Sequence, residues 1–215
     1  MDDQYQTIAS PSTGEYKDKG SKFLSFCFPF DDESQLTTIL DNIKSQHPKA
    51  RHYCYAYNIG LDHNRFRIND DGEPSGTAGK PIFGQILSHH VTNIIIVIVR
   101  YFGGTKLGVS GLIQAYKEAS ISGLSSANII IKHITKQYIL SFEYAFMGRI
   151  LAELKDLEID IDSKDFSTRC KVIISIRSSD SDIKLRKLKA NLLEKTINEV
   201  DMDTQLSFCH IDETI

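Results

Sequence analysis

The sequence predicts a protein of the α+β class with two domains. Six consecutive β-branched residues at 94–99 are typical of a strand that is buried on both faces of a sheet. Apolar residues between positions 36 and 43 recur at the spacing of one helical face. From Lys136 onward, strand and helix patterns alternate in the order β-α-β-β-α-β.

The first part of the chain contains three predicted helices and several predicted strands. Asp31 or Asp32 is expected to cap the first helix, and Ser75 or Thr77 the second. The basic segment 17–22 is expected to be flexible. The predicted elements are a strand at 23–30, a helix at 33–46, a hairpin of 53–59 and 65–68, a helix at 78–89, the buried strand at 94–99, a helix at 109–124 and an apolar stretch at 129–131.

The second part is more regular. It is predicted to contain a strand at 136–142, a helix at 144–157, a hairpin of 159–166 and 169–176, a helix at 182–197 and a strand at 205–210. This order is that of a split βαβ, or ferredoxin-like, unit. The change of pattern near 132–135 predicts two domains, at 1–132 and 133–215.

Composition limits the possible functions. The chain has 215 residues, a net charge of −3 and no apolar run long enough to span a membrane. Its start lacks the pattern of a signal peptide, so the expected location is the cytoplasm. The four scattered cysteines are interpreted as reduced, packed thiols. Neither domain is basic, so any contact with RNA has to depend on a local patch.

Two glycine-rich segments, at 69–82 and 100–111, carry most of the candidate chemistry; we call them loop 1 and loop 2. In loop 1, Asp70, Asp71 and Glu73 place three carboxylates within four residues, and magnesium prefers such oxygen ligands. The same residues are also ordinary turn formers, and this interpretation is favoured. The spacing does not match a calcium loop of the EF-hand type.

Loop 2 is a candidate anion site. Backbone amides of Gly103 and Gly104, the Thr105 hydroxyl and the Lys106 ammonium precede a helix, where anions bind readily. Its spacing matches neither a P-loop nor a dinucleotide-binding fingerprint. A tight strand-to-helix turn remains the simpler alternative. The positive charges of this anion site would come from Arg100 and Lys106 of loop 2, and from Lys80 of loop 1.

Aromatic residues before loop 1 offer a way to hold bases. Tyr53 and Tyr55 lie on one face of a predicted strand, beside His52, and could stack on nucleotide bases. They are equally typical of half-buried sheet residues, and we favour that interpretation. Cys54 is interpreted as a core cysteine, and no pattern for a catalytic nucleophile is present.

Three motifs carry a resemblance to a known family. The segments 52–57, 70–82 and 100–108 resemble the YigZ/IMPACT family in order and spacing. The resemblance implies that the first domain is an α+β sandwich like the second domain of a small-subunit ribosomal protein. It also implies that the second domain is ferredoxin-like and similar to the fifth domain of elongation factor G.

The resemblance further implies a role in the regulation of translation rather than a known reaction. Eukaryotic relatives join this domain to a partner-binding domain and compete for an activator of a stress-responsive initiation-factor kinase. We therefore expect a non-enzymatic protein without a cofactor that contacts RNA, the ribosome or a translation-regulatory protein. The alternative is an enzyme that acts on a phosphorylated small molecule or nucleotide, with magnesium held by Asp70, Asp71 and Glu73. If loops 1 and 2 meet, a shared site becomes the working hypothesis.

Overall fold

The structure is a computed structural model that describes residues 3–62, 64–167 and 169–214. It divides into two compact units: residues 5–132 form one, and residues 133–214 together with Asp3 and Gln4 form the other. Both units mix helices and strands, so the predicted α+β class is confirmed. Within the described residues, no helix is both long enough and apolar enough to cross a membrane.

The unit of residues 5–132 is built on a five-stranded antiparallel sheet with the order β2-β3-β6-β4-β5. A separate two-stranded sheet pairs β1 with β7. The elements are β1 (Gln4–Ile8), β2 (Ser12–Asp18), β3 (Ser21–Pro29), α1 (Leu36–Gln46), β4 (His52–Ile59), β5 (Arg65–Asn69), α2 (Gly79–Ser88), β6 (Ile94–Tyr101), α3 (Gly108–Ser125) and β7 (Ile129–His133).

Strand β6 is the centre of the sheet and is buried on both faces, as predicted. Ile94, Ile96 and Ile98 join the core beneath α2 and α3. The alternate residues at 95, 97 and 99 join a second core beneath α1. This arrangement explains the continuous apolar run, because neither face of the strand meets water.

The unit of residues 133–214 has a four-stranded antiparallel sheet with the order β11-β8-β10-β9 and one core of its own. Its elements are β8 (Thr135–Phe142), α4 (Met147–Asp156), β9 (Asp160–Asp165), β10 (Cys170–Arg177), α5 (Ser181–Leu193) and β11 (Cys209–Glu213). The order β-α-β-β-α-β is the one that the sequence predicts. In it, the first strand lies between the third and fourth strands.

Several boundaries differ from the prediction. The segment 17–22, expected to be flexible, contains the end of β2, a turn and the start of β3. Helix α5 ends at Leu193 rather than 197, because Glu194 adopts a left-handed conformation with φ 56°. The last strand lies at Cys209–Glu213 rather than 205–210. Asp32 caps the turn before α1, as one of the two predicted candidates.

Candidate functional site

Loops 1 and 2 leave the sheet at the same end. Strand β4 pairs antiparallel with both β5 and β6, so β5 and β6 run parallel to each other. The carboxyl ends of β5 and β6 therefore lie beside the start of β4, where His52 pairs with Arg100. Loop 1 leads from β5 into α2, and loop 2 leads from β6 into α3. The starts of these two packed helices consequently belong to one end of the fold.

A buried ion pair joins the two loops. The Arg100 Nη1 atom donates to Glu73 Oε1 at 2.5 Å, and both side chains are buried. The Tyr116 hydroxyl of α3 donates to the same carboxylate oxygen at 2.9 Å. The guanidinium also lies 5.4 Å from the ring centre of Phe23. Arg100 was predicted as a phosphate ligand. In the structure its charge is paired with Glu73 inside the protein, and this pair links loop 1 to strand β6.

Asp70 holds the start of α2. Its Oδ1 atom accepts hydrogen bonds from the amides of Ala78 and Gly79 at 3.0 and 2.8 Å, and its Oδ2 atom accepts one from Gly76 at 2.8 Å. Burial raises the pKa of the Asp70 carboxyl, but these donors and the nearby Lys80 charge outweigh burial and lower the pKa overall. Asp70 therefore takes the capping role that the sequence assigned to Ser75 or Thr77.

Asp71 and His52 fasten loop 1 to the first residues of β4. Asp71 Oδ2 accepts a hydrogen bond from the Tyr53 amide at 2.7 Å, and the Asp71 carbonyl oxygen lies 2.8 Å from His52 Nδ1. The His52 Nε2 atom is 3.9 Å from Glu73 Oε1. The backbone at Asp71 and Gly72 is left-handed, with φ of 40° and 84°, as a tight turn requires. His52 is therefore a structural contact of the loop.

The three carboxylates of loop 1 do not form a magnesium site in this structure. Asp70 binds backbone amides, Asp71 binds the start of β4, and Glu73 binds Arg100 and Tyr116. Across the described ranges, no group of three or more His, Cys, Asp or Glu side chains is placed to hold a metal ion. Each of the three carboxylates is bound by other groups of the protein.

The thiol and phenol beside this network do not form an activated nucleophile. The Cys54 thiol lies 3.0 Å from the Asp70 carbonyl oxygen and donates to the Tyr116 hydroxyl at 3.2 Å. Burial raises the pKa of both Cys54 and Tyr116 far above their usual values. A thiol held in its protonated form is unreactive, which agrees with the interpretation of Cys54 as a core cysteine.

Loop 2 combines a fixed glycine with an exposed tip. A Cβ atom on Gly103 would lie 1.9 Å from the carbonyl carbon of Gly20, so the two backbones approach as closely as glycine allows. The Gly103 amide donates to Ser21 Oγ at 3.1 Å. Beyond it, Gly104, Thr105 and Lys106 are exposed. The close packing of Gly103 agrees with the alternative of a tight turn, and the anion site at loop 2 stays a prediction.

Lys80 and Lys106 are the exposed cations of the two loops. Lys80 is the second residue of α2, and Lys106 stands two residues before α3. Neither ammonium takes part in an ion pair with the part of the chain that the structure describes. Both ammonium groups are exposed, and the Lys80 charge also contributes to the lowered pKa of Asp70.

The two candidate stacking tyrosines are engaged in the fold. Tyr55 is 5% exposed and belongs to the core beneath α1. Tyr53 is half-buried, and its hydroxyl donates to the carbonyl oxygen of His47 at 2.6 Å. The sequence did not single out the aromatic residue that is exposed at this end, Phe102, or its neighbour Arg51. The only available signal was the position of Phe102 between the buried strand and Gly103.

Comparison with known proteins identifies the family. Residues 19–124 match the family model described as the Impact N-terminal domain. The chain is 33% identical to IMPACT family member YigZ of Escherichia coli over 160 residues, which cover 74% of this chain and 78% of the relative. The chain belongs to the IMPACT family. A second member, YvyE of Bacillus subtilis, is 29% identical over 91% of this chain and 96% of its own length.

A solved structure shares the fold of this chain. A crystal structure described as that of a hypothetical protein superposes with a TM-score of 0.71 at 28% identity, covering 91% of this chain and 96% of that chain. The matched IMPACT domain contains both loops, the buried ion pair and the exposed Lys80 and Lys106. The region that defines the family is therefore the region that carries the candidate site.

Proposed function

We propose that this chain is a non-enzymatic binding protein in the regulation of translation, and that it contacts RNA, free or within the ribosome, through loops 1 and 2. Membership of the IMPACT family supports the link to translation. The observation that supports this contact surface is the difference in exposure among the cations of the two loops. Arg100 is neutralised inside, whereas Lys80 and Lys106 are exposed at the starts of two helices.

The physical basis of the contact is electrostatic. Phosphate groups bind ammonium groups that face solvent. Because the Asp70 carboxylate already accepts the amides of Ala78 and Gly79, the contact at the start of α2 depends on the Lys80 ammonium. The rest of the chain is not basic, so this local patch has to supply the attraction. The internal contacts of Glu73, Asp70 and Asp71 hold both loops in place before RNA arrives, which lowers the entropic cost of binding.

Fluorescence anisotropy with a structured RNA across a salt series tests the proposal. The double variant Lys80→Ala with Lys106→Ala removes two exposed charges and keeps the hydrogen bonds of Asp70 and the ion pair of Glu73 with Arg100. We expect weaker binding to all RNA sequences and a salt dependence reduced by about two units of slope, since each phosphate contact contributes about one.

A matched pair of exposed lysines provides the control. Lys117 lies nine residues into α3, and Lys155 lies in the other unit, and both are exposed. Lys117→Ala with Lys155→Ala changes the net charge equally and should leave binding close to that of the unchanged protein. The proposal is overturned if the two double variants behave alike. It is also overturned if the chain binds no RNA and instead binds only a regulatory protein.

A further inference from the structure

Phe102 is an exposed aromatic residue at the point where loop 2 leaves the sheet. It directly follows the last residue of β6, and 42% of its surface is exposed. The guanidinium carbon of Arg51 lies 5.9 Å from its ring centre, and that of Arg100 lies 5.8 Å from it. Arg51 is itself exposed. The ring is therefore not part of the core, and its neighbours are two planar cations.

The backbone on either side of Phe102 is held firmly. Before it, Tyr101 pairs with Lys22 of β3, and its hydroxyl lies 3.0 Å from His47 Nδ1. After it, Gly103 is seated against Gly20. Beneath it, Arg100 is fixed by its ion pair. An aromatic ring on a rigid base loses little conformational entropy when a ligand covers it.

We propose that Phe102 is a stacking platform for an unpaired nucleotide base, and that Arg51 contacts the nucleotide that stacks there. The RNA class recognised at this surface is then RNA with single-stranded nucleotides, such as a hairpin loop or bulge. This inference rests on the proposed function, in which Lys80 and Lys106 supply the phosphate contacts to the same RNA.

Only RNA with unpaired nucleotides offers a base face to an aromatic side chain. In an A-form duplex each base is stacked between its neighbours, so its face cannot reach a side chain. In a loop or bulge the base is free, and an aromatic ring or a guanidinium plane can stack on it. All four bases have such a face, so the platform should select for unpaired structure rather than for sequence.

Anisotropy with two RNAs tests the inference in the full chain. One is a hairpin with an unpaired loop, and the other is a blunt duplex with the same number of phosphates. We expect Phe102→Ala to weaken hairpin binding about tenfold, or roughly 1.4 kcal/mol, the loss of one base stack. Affinity for the duplex and its salt dependence should not change. Phe102→Tyr keeps a ring and should restore hairpin binding.

Each outcome separates the two proposals. If Phe102→Ala binds the hairpin as the unchanged protein does, while the Lys80 and Lys106 variant is weakened, stacking is refuted and the proposed function stands. If Phe102→Ala weakens both RNAs equally, the ring only supports the surface, which also refutes stacking. If the unchanged protein binds neither RNA, both proposals fail. An unaltered thermal unfolding midpoint of Phe102→Ala confirms that the variant is folded.

Discussion

The Glu73 carboxylate links loop 1 to strand β6 and to helix α3. It accepts hydrogen bonds from Arg100 at the end of β6 and from Tyr116 in α3, while its own backbone belongs to loop 1. Both members of the ion pair are buried. Removing one member of such a pair is costly, because the remaining charge stays out of water without a counter-ion.

The variant Glu73→Gln keeps the shape of the side chain and removes its charge. We expect the free energy of unfolding to fall by about 3 kcal/mol, because the Arg100 guanidinium becomes an unpaired buried cation. Urea denaturation measures this change. The control Glu118→Gln replaces a half-buried glutamate of α3 whose Oε1 atom accepts a hydrogen bond from Gln114. Glutamine can still accept this bond, so the variant should cost less than about 0.5 kcal/mol. Equal costs for the two variants would contradict the role of Glu73.

Asp70 makes the stability of the loop depend on pH. Its pKa is lowered in the folded protein, so its contribution is present above the unfolded value near 4 and is lost as pH falls through the folded value. We expect Asp70→Asn to be about 1 to 2 kcal/mol less stable at pH 7, as for the loss of a helix cap. The difference should narrow as the pH falls below about 4. A constant difference from pH 7 to pH 2, measured by denaturant unfolding, would argue against the cap.

The sequence indicated these carboxylates but not their partners. Asp70 was recognised as a possible turn former, which agrees with its contacts to Gly76, Ala78 and Gly79 only six to nine residues away. Arg100, the ion-pair partner of Glu73, lies 27 residues away on strand β6. Such a pairing depends on strand order, which local patterns do not contain. The charge of Arg100 was visible in the sequence, whereas its burial was not.

At the scale of elements, the segment after β6 packs against the turn between β2 and β3 through Gly103 and Gly20. We call this contact the glycine contact. The predicted strand, helices and hairpin of this unit were found because their apolar periodicity is strong. Strands β1 and β2 were missed because they are short or polar, as edge strands often are. The contact of Gly103 with Gly20 depends on β2 and could not be anticipated without it.

Glycine substitutions test the glycine contact. Gly103→Ala would place a methyl group 1.9 Å from the Gly20 backbone, so we expect a loss of at least about 2 kcal/mol in stability. Gly84→Ala is the control, because Gly84 is an exposed residue of α2 with no heavy atom within 4 Å of an added Cβ. It should raise stability by about 0.5 to 1 kcal/mol through helix propensity. If thermal unfolding shows no loss of stability for Gly103→Ala, the backbones in the glycine contact are not closely packed.

At the scale of the whole molecule, the two units differ in what their sequences reveal. Each has its own hydrophobic core, and the α+β class follows from the alternation of helix and strand patterns. The family motifs and both loops lie within residues 19–124. The unit of residues 133–214 agrees with its predicted element order. Its end positions shifted because turns such as that at Glu194 leave only weak local signals.

The proposed RNA contact lies at one end of the unit of residues 5–132. Hydrogen–deuterium exchange of the full chain, with and without a hairpin RNA, is the most direct test of that assignment. We predict that RNA slows amide exchange within 69–82 and 100–111 and leaves exchange within 133–214 unchanged. RNA-dependent protection confined to 133–214, or no change anywhere at saturating RNA, would contradict the account.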